Sequence, residues 1–323
     1  MQAAVVTGPR QISIEERPDP LPGPGQVRVR VEGCGVCASN VPPFEGREWF
    51  RYPLEPGSPG HEGWGVVEAL GPLAPAGASA GVSIGDRVAF LSSRAYATHD
   101  LAAADECVVL PPALEGPFPG EALACAMNVF RRAEVEPDQA VAIVGGGFLG
   151  LALTALCSRA QARVLVVSRR ASSLALARRL GAETTVALED PTQAAELVRE
   201  AVGGEGCERV IEAVGRQAAL DLATRLTRVR GRLVIAGYHQ DGARQVDLQL
   251  WNWRGLDVIN AHERDPAVYV DGMRQAVDAA ATGALDLSAL LTHPLPLSRL
   301  GEALATAAAC PEGFVKAWVS CAE

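Results

Sequence analysis

The hydrophobic pattern of the chain changes character near residue 117. Before it, short apolar and β-branched runs at 27–31, 64–69 and 87–90 are separated by Pro- and Gly-rich turns (PDPLPGPGQ, LEPGSPG, GASAGVSIGD). Short strands punctuated in this way predict an irregular, mostly antiparallel domain. After residue 117, apolar strand candidates at 141–144, 163–167, 209–212, 232–235 and 257–260 alternate with helical stretches at 149–160, 172–180, 193–202 and 217–226. That alternation predicts a doubly wound parallel sheet with right-handed crossovers. The tail leaves the rhythm: beyond a helix over 268–281 come another helix and a final strand at 315–320, expected to return to the first domain. The expected division is therefore 1–117, 118–287 and a returning segment, 288–323.

Length agrees, because 323 residues exceed the size at which one core usually stops growing. A hydrophobic content of 48% and mean hydropathy of +0.12 are enough to fill two cores. Net charge of −9 and a pI near 5.2 argue against nucleic acid as a partner, although a local basic cluster still suits one phosphate. The start holds no basic stretch followed by a long apolar run, and no window approaches the ~20 apolar residues of a membrane span. A cytoplasmic protein without a membrane partner is expected. Eight cysteines are too sparse for a disulfide scaffold and are read as thiols unless metal-bound. Cys107, Cys157, Cys207, Cys310 and Cys321 lie in unrelated contexts and are read as small apolar filler.

Chemistry concentrates in three segments. Gly145, Gly147 and Gly150 follow the apolar run VAIV and open a helix at Phe148 and Leu149. There the first glycine permits a tight turn, the second lets backbone approach a pyrophosphate, and the third lets helix pack on strand. At the end of the next strand an NAD site would place Asp or Glu for the ribose hydroxyl, but the chain has Ser168, Arg169 and Arg170. Guanidiniums suit a 2′-phosphate, so NADP(H) is favoured over NAD(H).

The other two segments are GCGVCASN at 33–40 and GHEGWG at 60–65. Cys37 sits in a Gly-rich turn, and Cys34, three residues earlier, makes a CxxC that no second pair follows at finger spacing. A closed structural site is thereby disfavoured. His61 and Glu62 are adjacent between glycines, where the backbone can present both to one ion. Thiolate, imidazole and carboxylate together favour Zn²⁺, and a catalytic zinc needs only three protein ligands.

These segments closely resemble those of the medium-chain, zinc-dependent alcohol and polyol dehydrogenases. CGVCASN resembles that family's first zinc-ligand segment, GHEGWGVVEALG its second, GDRV at 85–88 the turn before its next strand, and VGGGFLG its coenzyme loop. The resemblance runs over essentially the whole chain, in the family's order. It implies an α/β Rossmann domain with a mostly β, GroES-like catalytic domain, and a homodimer or homotetramer. It implies Cys37 and His61 as ligands of one catalytic zinc per chain, and Ser39 as the hydroxyl that hands the substrate proton toward solvent. For the third ligand it favours Glu121, which precedes Gly145 by the interval found in the polyol and threonine dehydrogenase branch. Glu62 is then a carboxylate that replaces Glu121 on exchange of water or substrate, and Cys125 is the alternative.

Departures from the family pattern matter too. A four-cysteine lobe should follow GDRV, but 89–111 contains only Cys107, so one zinc at most is expected. Asn40 stands where many members carry Asp, and Pro42 near a position that bears a relay His in some; no His relay is assigned. Trp49, Phe50 and Tyr52 are either pocket walls or loop packing. His239, Asn260 and His262 follow late strands and are placed at the nicotinamide end; Trp251 and Trp253 offer a subunit contact. The expected activity is hydride transfer between NADP(H) and a small-molecule secondary alcohol, polyol, ketone or aldehyde. The competing readings are a zinc-free NADPH-dependent reductase of enones or quinones, and a non-catalytic nucleotide sensor.

Overall fold

A computed structural model describes residues 1–72 and 81–321; the first four residues of the turn expected over 77–86 lie outside them. The chain forms two compact units, residues 1–124 with 265–323, and residues 125–264. In the first, β1 (Gln2–Gly8) and β2 (Gln11–Glu16) form an antiparallel hairpin. β3 (Gln26–Gly35) follows, then the short helix α1 (Val41–Glu45), β4 (Glu62–Leu70), β5 (Arg87–Phe90), β6 (His99–Ala103) and β7 (Cys107–Val109). In β3 the run Val27, Val29, Val31 is buried while Arg28 and Arg30 face outward, the period-two pattern of a sheet with one wet face.

Helix α2 (Gly120–Ala133) leads into the second unit, a six-stranded parallel sheet. Its strands are β8 (Ala140–Val144), β9 (Arg163–Ser168), β10 (Thr184–Ala187), β11 (Cys207–Glu212), β12 (Thr227–Ile235) and β13 (Asp257–Asn260), in the order β10-β9-β8-β11-β12-β13. Helices α3 (Phe148–Arg159), α4 (Ala171–Arg179), α5 (Pro191–Ala201), α6 (Gln217–Leu226) and α7 (Leu248–Arg254) fill the crossovers. Every residue of β8 is buried, as expected for a central parallel strand covered on both faces. Helix starts are written locally. Asp190 accepts from the amides of Thr192 (2.9 Å) and Gln193 (2.8 Å) with Pro191 at the first helical position. The doubly wound alternation is as expected, with β10 added between two helices.

The chain then returns through α8 (Pro266–Ala281), α9 (Leu287–Leu290), β14 (His293–Pro296), α10 (Leu300–Ala309) and β15 (Ala317–Ser320). β15 pairs antiparallel with β3, completing the sheet β14-β15-β3-β4-β5-β7 with β6 also on β3. The tail thus rejoins the first unit. So does α8, although the pattern had placed it within a second domain ending at 287. Close packing accounts for this: a Cβ on Gly272 would stand 3.0 Å from Ala124, and one on Gly120 would meet Met273 Sδ at 2.9 Å. Each unit has its own apolar core, one around Val29, Phe90 and Tyr96, the other around Leu165, Val210 and Leu226. No helix among the described residues is long and apolar enough to cross a membrane.

Candidate metal centre and coenzyme loop

In the first unit, Cys37, His61 and Glu62 converge: one ligand atom from each lies within 4.8 Å of the others. Cys37 ends the irregular stretch after β3 and opens a single 3-10 turn, Ala38–Asn40, while His61 immediately precedes β4 and Glu62 begins it. Register brings the two together, because Glu62 pairs with Gly35 across the β3–β4 ladder.

Asn40, 1% exposed, ties the loops to each other. Its Oδ1 accepts from the Cys37 amide (2.9 Å) and the buried Tyr96 hydroxyl (2.8 Å), and its Nδ2 donates to Pro59 O (2.9 Å). His61 Nδ1 is 2.9 Å from the same Pro59 oxygen. A carbonyl only accepts, so Nδ1 carries a proton, and it is in the neutral ring that Nε2 has a lone pair for a ligand. Asn40 Nδ2, 3.3 Å from Nδ1, is then a packing neighbour of the ring.

The acidic groups of this corner raise the pKa of both of its basic ones. Burial alone would lower the His61 pKa, but the hydrogen bond and charge of Cys37, then the charges of Glu121 and Glu62, raise it to about 10. Glu62 is 1% exposed and pairs with Lys316, 4% exposed, from the stretch entering β15. Lys316 Nζ is 2.8 Å from both carboxylate oxygens. Only the approach to Oε1 has hydrogen-bond direction, and Oε2, buried, has no directed partner. Burial would lower the Lys316 pKa; Glu62 first, then Cys37 and Glu121, raise it.

Lys316 was not singled out from the sequence, and it is 254 residues from Glu62. One signal existed: it is the only lysine of the chain among 29 basic residues. Ser39 is half-buried in the turn after Cys37. Glu121, in the first turn of α2, reaches the cluster through its charge. Cys125 lies one turn along α2, half-buried. Cys34 sits in the apolar core, where burial pushes its thiol well above the ordinary range. Tyr52 is a packing residue, donating to Pro43 O (2.6 Å), whereas Trp49 is 55% exposed.

In the second unit, the loop between β8 and α3 is shaped by two glycines. Gly145 has φ +118, a left-handed conformation, and a Cβ on Gly150 would strike Gly145 O at 1.9 Å. At Gly147 a Cβ would meet nothing within 4 Å, so no protein neighbour demands a glycine there. Phe148 and Leu149 open α3 at that point. Ser168 closes β9, Arg169 is exposed, and Arg170 folds back so that Nη2 donates to Gly146 O (3.1 Å).

Late-strand residues occupy several roles. Both ring nitrogens of His239 are engaged by side chains of this unit, His262 stacks on Tyr238 with centroids 5.5 Å apart, and Asn260 Oδ1 accepts from the His262 amide (3.0 Å). Trp251 is partly buried against the core and donates to Thr224 Oγ1 (3.1 Å), and Trp253 is 87% exposed.

Known proteins agree with this architecture. Residues 23–120 match the alcohol dehydrogenase GroES-like domain and residues 149–278 the zinc-binding dehydrogenase domain. The erythritol/L-threitol dehydrogenase of Mycolicibacterium smegmatis is 27% identical over 346 positions, covering 94% of this chain and 93% of that protein. Sorbitol dehydrogenase of Rattus norvegicus is 29% identical over 342 positions, covering 94% and 91%. A mycobacterial protein solved with NADPH has the same fold, with a TM-score of 0.86 at 24% identity and 99% of each chain covered. A GroES-like unit joined to a dinucleotide-type sheet defines a two-domain oxidoreductase. Within that class, the chain belongs to the medium-chain alcohol and polyol dehydrogenase family.

Proposed function

We propose that the protein is a zinc-dependent dehydrogenase transferring hydride between NADP(H) and a secondary alcohol, polyol, ketone or aldehyde. The observation that carries this reading is the convergence of Cys37, His61 and Glu62, with Glu62 Oε2 buried and lacking a directed partner. Thiolate, imidazole Nε2 and carboxylate are a donor set that fits Zn²⁺ with a position left for substrate. Gly147, whose glycine the protein's own packing does not require, fits a pyrophosphate in the same way. When bound, zinc supplies a Lewis acid and the reduced nicotinamide a hydride donor.

The chain's own residues do the rest. Cys37 and His61 hold the ion; because Glu62 is the carboxylate that converges with them, the order expected from the sequence is reversed here, with Glu62 as the inner carboxylate and Glu121, from α2, as its exchange partner. Asn40 and Pro59 fix the tautomer and aim of His61. Ser39, two residues beyond Cys37, carries the substrate proton outward. In the second unit Gly145, Gly147, Phe148, Leu149 and Gly150 cradle the pyrophosphate at the start of α3. Arg170 braces the loop through Gly146 O, leaving exposed Arg169, with Ser168, to take a 2′-phosphate.

The test is turnover of a panel of polyols, secondary alcohols and ketones with NADPH or NADP⁺ and with NADH or NAD⁺, before and after zinc chelation. Turnover that is lost on chelation, restored by zinc and faster with the phosphorylated coenzyme is expected. Chelation-insensitive reduction of enones or quinones would establish the zinc-free reductase instead.

A further inference from the structure

The C-terminal ends of β11 and β12 carry a buried polar chain that the proposed chemistry does not use. Glu212, fully buried at the end of β11, accepts through Oε1 from the amides of Val214 (2.8 Å) and Gly215 (2.7 Å). Its Oε2 is 2.9 Å from His239 Nε2, in the loop after β12. His239 Nδ1 is in turn 2.8 Å from Arg244 Nε. Arg244 Nη2 donates to Gly215 O (3.0 Å) and pairs with Asp241, which also pairs with Arg216. A guanidinium has no lone pair to offer, so Nδ1 is the acceptor, and the ring proton sits on Nε2 and is donated to Glu212.

We infer that Arg244, His239 and Glu212 form a clamp that positions the floor of the coenzyme loop, with neutral His239 as its centre. The link to the loop is steric: the Val214 side chain abuts Gly145, where a Cβ would come within 2.7 Å of Val214 Cγ2. Glu212 holds the Val214 and Gly215 amides, His239 holds Glu212, and Arg244 holds both His239 and the Gly215 carbonyl. The turn after β11 is thus fastened to the loop after β12, and Gly145 rests against the fastened turn. His239 and Arg244 are positioning residues, and with both nitrogens engaged His239 is not the proton relay to substrate. The effect on coenzyme binding rests on the dinucleotide reading of the glycine loop; the clamp itself does not.

Three readouts on intact protein test it. Relative to wild type, His239→Leu is expected to speed hydrogen exchange of the Val214 and Gly215 amides and raise the NADPH Kd about 10-fold or more, with zinc content unchanged. His239→Gln offers a donor and an acceptor on one side chain and should bring the Kd back to within about threefold of wild type. Long-range ¹H–¹⁵N correlation of ¹⁵N-histidine protein should show a resonance, assigned by its loss in His239→Gln, with the proton on Nε2 and none on Nδ1. A proton on Nδ1, or amide exchange unchanged in His239→Leu, overturns the clamp. A wild type that binds neither NADPH nor NADH overturns the dinucleotide reading, and exchange and tautomer then still decide the clamp.

Discussion

Each unit buries one carboxylate at its functional end, and the two are satisfied in opposite ways. Glu212 is saturated: two backbone amides occupy Oε1 and an imidazole occupies Oε2. Glu62 faces one ammonium, and its Oε2 has no directed hydrogen bond. Glu62 therefore rests on one ion pair, in which Lys316 Nζ lies 2.8 Å from Oε2 without a directed hydrogen bond, where Glu212 has three directed partners. On the proposed function, the difference separates a structural carboxylate from one that takes a ligand. Lys316 makes the burial of Glu62 tolerable, since an unpaired buried carboxylate would protonate or pull water in.

The contrast can be broken in several places. The largest effect on zinc affinity is expected for Glu62→Gln, which should weaken binding by about 100-fold or more in competition with a chelator, since a proposed ligand should matter more than the 10–100-fold of an outer partner. Glu212→Gln should leave zinc affinity unchanged, and equal loss in both variants would erase the distinction. Next, Lys316→Met strands Glu62 in the zinc-free protein and should lower unfolding free energy by about 3–5 kcal/mol by denaturant titration. Added zinc should recover part of that loss, because the ion replaces the missing positive charge. Arg169→Ala should raise the NADPH Kd by roughly 10–100-fold, the worth of a charge-assisted contact, and leave NADH binding unchanged. Asn40→Ala, which frees the Cys37 amide, Tyr96 and Pro59 O but touches no metal, should cost about 10-fold in zinc affinity. Smallest is Trp253→Ser: at 87% exposure the ring buries little surface, and the stability change should stay within about 0.5 kcal/mol.

What was legible in the sequence is what local pattern determines. The apolar runs of β8, β9, β11 and β12, the glycines between β8 and α3, and the adjacency of His61 and Glu62 are all short-range, and each was placed from the chain alone. β10 and β14 were not. Thr184–Ala187 is four residues at a sheet edge, and His293–Pro296 carries two prolines, which a strand tolerates only where its amides are unused. The helix α8 was legible as a helix, but its home was not, because that depends on Gly272 and Met273 meeting Gly120 and Ala124 across the fold.

The same limit governed the sites. Cys37 and His61 announce themselves by residue type and setting; Lys316 reaches Glu62 only because β15 returns to β3. Asn40 stood out as a departure from the family's Asp, and the structure gives it a bridging role that no spacing rule contains. His239 was placed at the nicotinamide end because it follows a late strand; the structure puts it in the loop beyond the C-terminal end of β12. Its two nitrogens are spent inside the protein, on partners 27 residues before it and five after.

Zinc stoichiometry, by elemental analysis of wild type and Cys37→Ala purified side by side without chelator, tests the central claim most directly. The account predicts close to one zinc per wild-type chain and almost none in the variant, with far-ultraviolet dichroism unchanged. A wild type devoid of zinc when handled in this way, or a variant that keeps its full complement, would contradict it.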